Sequence, residues 1–432
     1  MKRPLMSEEK KSQYAYISYS AFSYIPFLLI GGTFLVDLLK TCGLKDGAIG
    51  IVSSIGTFLA VTTLLVLFVG HKIRSPKKAA ILCIGSALVL YIITYIVALL
   101  PMNQLLKQTL VVGCLVVGLL LRFFVGPIVA QWRFTFIPTD QRGKFTAANT
   151  LVSLLFSIVC SPLLGYMRDY FHAAGKVELN YAILAIIVFV MDVIAIGSLL
   201  MIKDAPHEHT EKKRFDLKDV LNHTLRNKNY NLVLLFYILW QVALSISTGF
   251  WDVYKMGDLG FNVTTLQIIG VVANVFLILS LRPIGKLADK FSFLWCMRMG
   301  SIFAAVVFLL CAFTTPATSW LAIVYTILYG LPSFAIGSNF DNFLLDYTDA
   351  NYYAYAFALC QTIGGMISFG ASVFSGTLLD TIQANGNTLF GIPIYAQQVQ
   401  AMLSLVCVIA LFLLTTFVLN KIPTNRKENE AP

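Results

Sequence analysis

Charge is what this chain has least of. Of its 432 residues only 12% are Asp, Glu, Lys or Arg, where a soluble domain carries about 25%. That supply cannot coat a water-facing surface of this size, so soluble fold classes are excluded. The eight cysteines (Cys42, Cys83, Cys114, Cys160, Cys296, Cys311, Cys360, Cys407) include no CxxC pair. Scattered mostly through apolar runs, they read as small packing residues and not as a disulfide or metal framework. Walker-type glycine loops, HExxH and triad-like arrangements are also missing, and His71, His172, His207, His209 and His223 are all read as loop residues. ATP hydrolysis by this chain and zinc chemistry are therefore not expected, and neither a cofactor nor a metal is assigned.

What the chain has instead is hydrophobic length. Apolar residues make up 57% of it and the mean hydropathy is +0.76. A membrane helix needs about 20 such residues, and stretches of that length fall near 16–39, 47–69, 79–100, 109–132, 146–166 and 180–202. A second set follows near 230–251, 265–284, 293–314, 319–340, 353–379 and 397–420. The expected fold is all-α: twelve transmembrane helices, with six-helix bundles at 1–202 and 230–432 joined by a polar linker at 203–229. The first run lacks a small-residue cleavage site and reads as a retained helix. In the linker, Leu217, Val220, Leu221 and Leu225 share a helical face behind a candidate N-cap at Asp216, which predicts a short amphipathic surface helix serving as a tether.

The basic residues set the orientation, because cytoplasmic loops retain Lys and Arg. With the N-terminus inside, 25 of them fall on the cytoplasmic side and 6 on the other, Lys255 and Arg168 among the latter. Both termini are therefore expected in the cytoplasm of a cell whose plasma or inner membrane holds the protein. The same asymmetry accounts for the net charge of +10 without nucleic acid.

Between the eighth and ninth spans runs Arg282-Pro283-Ile284-Gly285-Lys286-Leu287-Ala288-Asp289-Lys290. Here the chain resembles the major facilitator superfamily, whose loop motif G-x-x-x-D-[RK]-x-[GS] is matched by Gly285, Asp289 and Lys290. The first-half copy keeps Gly70 but has Arg74 where the Asp should stand. In relatives that Asp helps lock the cytoplasmic gate against a helix N-terminus, and an Arg there repels the positive helix end. The resemblance extends to Arg122 and Gly126 in the fourth span, with Val125 in place of the usual Gln, and to Pro162 and Gly165 in the fifth. That fifth-span likeness, to an antiporter motif, is loose because Ser157, Ser161 and Tyr166 replace glycines.

An Arg at the bilayer centre costs several kcal/mol, from about 3 upward, so Arg122 needs a partner or water. Relatives use it for proton coupling or substrate binding; holding helices together is the alternative. Asp192 lies 12 residues into the sixth span and Arg122 13 into the fourth, about 18 and 20 Å deep at 1.5 Å per residue. An ion pair, a protonatable coupling site and a buried neutral acid are all open for Asp192.

Substrate is expected near the midplane between the halves. Candidate residues there are Tyr24, Arg122, Trp240, Gln241, Asn274, Tyr329 and Gln361, while Trp251, Asp252 and Tyr254 read as interface anchors. At the cytoplasmic mouth, Arg142 after the fourth span faces Asp346 and Asp349 after the tenth by pseudosymmetry, giving candidate gate salt bridges.

The resemblance implies a monomeric secondary transporter of a small organic solute, coupled most simply to protons, by symport or antiport. Two other classes remain. A polytopic enzyme on lipid-linked substrates would use an acidic cluster such as Asp341, Asp346 and Asp349, and a transporter-like receptor would bind without flux.

Overall fold

The computed structural model describes residues 8–69, 73, 75–137, 142–203, 224–348 and 352–422. Among them, eleven helical segments are long and apolar enough to cross a bilayer, and a bent pair at the N-terminus makes a twelfth. The tether helix expected at 215–225 lies almost wholly outside the described residues.

Several spans are interrupted, each for a local chemical reason. The first consists of α1 (Glu8–Leu29) and α2 (Gly32–Thr41), bent by 41°. Pro26 offers no N–H to the preceding turn, and Gly32 takes φ +49°, a conformation that suits glycine. The second span is three short helices, α3 (Asp46–Ser53), α4 (Ile55–Leu59) and α5 (Thr62–Val69). Its hydroxyls return to the backbone: Ser54 Oγ donates to Gly50 O at 3.0 Å and Thr62 Oγ1 to Leu59 O at 2.7 Å. Such bonds supply partners where the ladder breaks, as burial away from water requires.

Four long helices follow: α6 (Pro76–Leu99), α7 (Gln104–Trp132), α8 (Arg142–Ala173) and α9 (Val177–Met201). Ser75 caps α6 by accepting from Lys78 N, with Pro76 at the first helical position. Lys77 Nζ donates to the last carbonyls of α9, Leu200 O at 2.9 Å and Ile202 O at 2.6 Å, the favourable end of that dipole for a cation.

The second half begins with α10 (Lys228–Ser247), a 3-10 turn at Thr248–Phe250 and α11 (Trp251–Met256). Then come α12 (Val263–Lys290) and α13 (Phe293–Ala312). The tenth span is α14 (Trp320–Leu328), a π-helix at Ser333–Ser338 and α15 (Phe340–Leu345). The eleventh, α16 (Tyr353–Ala384), leads through a hairpin of β1 (Thr388–Leu389) and β2 (Ile392–Pro393) to α17 (Ala396–Leu413). Phe390 and Gly391 form its two-residue loop at φ +52° and +80°, the signs of a type I′ turn.

Residue contacts gather the chain into two compact units. One comprises Met1–Leu44, Leu65–Arg214 and Asn262–Gln267; the other comprises Lys45–Leu64, Phe215–Phe261 and Ile268–Pro432. In the first, Tyr16 packs on Tyr19, Phe136 and Phe145, and Tyr95 on Tyr181. In the second, Phe236, Phe340 and Phe343 form an aromatic core, and Ser404 Oγ bridges α17 to Ala243 O at 2.7 Å. Large side chains such as Leu82, Met201 and Leu279 point outward, each at least 70% exposed, while Ser301, Gln400 and Ser404 are fully buried. Apolar side chains turned outward, with buried polar groups kept to the interior, are the arrangement a lipid solvent selects.

Candidate transport site

In the first unit the polar centre is built around Arg122 on α7. Its guanidinium lies over the ring of Phe27 from α1, 4.6 Å from the centroid, a cation–π contact that offsets part of the cost of burial. Four residues earlier, Gly118 leaves space for Tyr91 of α6: a Cβ there would come within 2.5 Å of the ring. Tyr91 thus reaches the same neighbourhood as Arg122, and its hydroxyl feels the charges of both Arg122 and Asp192.

Asp192, on α9, is only 3% exposed. It and Arg122 attract each other electrostatically, but among the described residues no N···O contact within 4.0 Å joins them. Both carboxylate oxygens, Arg122 Nη1 and the Tyr91 hydroxyl are buried without a hydrogen-bond partner among the described residues. The depth matching from sequence therefore brings the two charges into one electrostatic neighbourhood without direct contact. Gly126, which completes the fourth-span motif, faces open space. Tyr24 joins α1 to α8 by accepting from Ser157 Oγ at 3.2 Å.

In the second unit, Gln241 and Gln361 meet through a residue the sequence reading passed over. Tyr237 donates to Gln361 Oε1 at 2.6 Å and accepts from Gln241 Nε2 at 2.7 Å. Gly364 makes this possible, since a Cβ there would sit 2.6 Å from the Tyr237 ring. Tyr237 stands four residues before Gln241, one turn along the same face, and that spacing was the signal available. Trp240 is buried in the core of this unit, and Asn274 is half-buried on α12. Tyr329 lies edge-on to Trp251, with centroids 5.0 Å apart.

Trp251 and Tyr254 are not interface anchors. The 3-10 turn after α10 carries the chain on into α11 inside the bundle, and Trp251 and Tyr254 are 5% and 0% exposed. Lys255 is buried with them, 3.4 Å from Asp252 Oδ1 and about equally near the rings of Trp251 and Tyr325 (5.7 and 5.5 Å). It had counted as a loop residue only because it follows an apolar run.

A second charged network was likewise missed. Arg168 on α8 pairs with Asp37 of α2 and, at 2.9 Å, with Asp169. Tyr181 of α9 donates to Asp37 Oδ2 at 2.9 Å, and His172 Nε2 stands 3.9 Å from the same oxygen. His172 is thus in the last turn of α8 and not in a loop. Pairing among Asp37, Arg168 and Asp169 explains how the helix extends past the apolar stretch that ended at 166.

For the gate, Gly285, Asp289 and Lys290 lie within α12, which stays helical through the motif, and Lys290 lies over Phe291. Arg142 opens α8, and Asp346 follows α15 directly. Gly70, Arg74 and Asp349 lie outside the described residues. Among the described residues no group of His, Cys, Asp and Glu could hold a metal ion.

The fold has relatives of known structure. The nucleoside transporter NupG, in a mutant form, superposes with a TM-score of 0.71 at 15% identity, over 93% of this chain and 98% of that one. A bacterial homologue of the human lysosomal transporter Spinster gives 0.70 at 12% identity, covering 96% and 98%. A POT family transporter bound to a thioalcohol-conjugated peptide gives 0.62 at 14%, covering 95% of each chain. At these identities the likeness is one of fold. Among curated protein sequences none gives a significant match. The sequence itself matches a family model from residue 15 to residue 372, and with it the chain belongs to the major facilitator superfamily.

Proposed function

We propose that the protein is a secondary transporter that moves a small organic solute by alternating access, driven by a proton gradient. The observation that carries this reading is the set of buried polar atoms without hydrogen-bond partners on Tyr91, Arg122 and Asp192. In a superfamily of transporters, an acid and a base that attract without touching, deep in a span, suit a group that gains and loses a proton. Tyr24 in the first unit and Gln241, Asn274, Tyr329 and Gln361 in the second supply donors and acceptors for a polar solute. Relatives of this fold handle nucleosides and peptides, and the hydrogen-bonding amides here fit solutes of that polarity.

Transport would involve bundles at 1–202 and 230–432 moving about the linker, in a monomer with both termini cytoplasmic at the plasma or inner membrane. Arg142 would close the cytoplasmic mouth against Asp346 and Asp349, replacing the lock lost with Arg74, while Gly285, Asp289 and Lys290 supply the second-half copy. Charge reversal at Asp346 rescued by reversal at Arg142 tests that gate.

The function is tested by uptake into proteoliposomes of a panel of nucleosides, short peptides, sugars and organic acids under an imposed pH gradient, comparing wild type with Arg122→Gln. Gradient-driven flux in the wild type and its loss in the variant support the reading. Unaltered flux in the variant removes Arg122 from the mechanism, and binding without flux for any solute makes the protein a receptor.

A further inference from the structure

Among the described residues the chain makes one sheet, the two-stranded hairpin β1–β2 that joins α16 to α17. Its base is built into the fold. Leu389 packs against the buried cluster of Phe250, Leu379, Ile382 and Ala396, Thr388 Oγ1 donates to Asn385 O at 2.7 Å, and Ile394 N donates to Asn387 O at 2.9 Å. Its tip stands free of it: Phe390 is 95% exposed and Ile392 64%.

The turn itself does not call for that phenylalanine. A type I′ loop needs positive φ at both central residues, which favours Asn-Gly. Gly391 meets the demand at φ +80°, whereas Phe390 takes φ +52° with a bulky side chain that sterically disfavours it. A strained aromatic residue at a tip, with its side chain turned away from the fold, points to a contact outside the fold.

Two observations identify that contact. The hairpin continues a surface that already faces lipid, since Met366 and Phe374 on α16 and Val406 and Ile409 on α17 turn outward from the spans it connects. Charge is also missing: between Asp380 and Lys421 no residue is Asp, Glu, Lys, Arg or His. A segment that stands in water draws on charged residues for its surface, and this one has none. A two-stranded ladder nonetheless leaves N–H and C=O groups open along both outer edges. The boundary between lipid headgroups and acyl chains meets both needs, with polar partners for the backbone and an apolar medium for the two side chains, and aromatic residues gather there.

We propose that the hairpin is a lipid anchor: Phe390 and Ile392 insert into the headgroup–acyl boundary of the leaflet where α16 ends and α17 begins, and the ligand is neutral phospholipid. The anchor ties that end of the two spans to a fixed depth. It requires only that α16 and α17 cross a bilayer, so it stands apart from what the protein transports.

Tryptophan fluorescence of Phe390→Trp tests this, with the full chain in nanodiscs of phosphatidylcholine and of phosphatidylcholine brominated near the head of its acyl chains. Subtracting the wild-type signal isolates the added indole from the five native tryptophans. Expected is a loss of most of the added emission in brominated lipid, little quenching by aqueous iodide, and no change when part of the lipid is replaced by anionic phosphatidylglycerol. Quenching by iodide and not by bromine places the tip in water and overturns the proposal. Shielding from both quenchers overturns it too, because protein, such as a second copy of this chain, then covers the tip. Bromine quenching that appears only with anionic lipid overturns the assignment of neutral phospholipid. If Phe390→Trp does not fold, Ile392→Trp on β2 gives the same readout and leaves the turn residues in place.

Discussion

Replacing Arg122 with Gln strips the buried Asp192 carboxylate of the cation that attracts it, and the cost is calculable within bounds. Two unit charges 4 Å apart attract by about 4 kcal/mol at an effective dielectric constant of about 20. The two groups make no N···O contact within 4.0 Å, so their attraction is smaller than that. Removing one partner of a buried pair costs about 3–5 kcal/mol where the other stays charged. The single variant should therefore lose about 2–4 kcal/mol of stability. Asp192→Asn should lose less, because Arg122 is half-buried and keeps the Phe27 ring beneath it. The double variant should be more stable than Arg122→Gln alone. Thermal unfolding in detergent, read by a thiol-reactive dye, suits the assay because the Cys42, Cys296, Cys311 and Cys360 thiols stay buried until the fold opens. Strictly additive losses in the cycle would show that the two residues do not sense each other, and the reasoning built on their shared neighbourhood would fail with them.

Three further outcomes are expected. Tyr237→Phe should leave Gln241 and Gln361 without their shared hydroxyl and cost about 1–3 kcal/mol in the same melt; it should also weaken solute affinity in the flux assay if these amides bind solute, and an unchanged melt would deny the hydrogen bonds their role. Lys255→Met should destabilise by about 3 kcal/mol by leaving Asp252 without its cation, with much of the loss regained in Lys255→Met/Asp252→Asn; no recovery would mean that the cation is not held by that acid. Phe390→Asn places a residue suited to positive φ at an exposed loop position and should stabilise by up to about 1 kcal/mol. A fall in melting temperature there would contradict the turn assignment.

The spans were legible because lipid demands long apolar runs, and each run became helical, in one piece or in several. Arg122 and Asp192 were legible for the converse reason, as charges in the middle of such runs are rare enough to be noticed. What escaped were charges near span ends. Arg168, His172 and Lys255 follow apolar stretches, and a hydropathy window assigns such residues to water; only the fold brings Asp37 to Arg168, or Tyr325 and Trp251 to Lys255.

The burial of Lys255 also bears on how the protein is made. Its ammonium sits beside Tyr325, which belongs to the tenth span, three spans later than its own. At about 5–20 residues per second, the ribosome supplies that ring only seconds after Lys255 has reached the membrane. Until then the ammonium lacks one of the two rings that lie near it, so the seventh span completes its own packing only with the tenth.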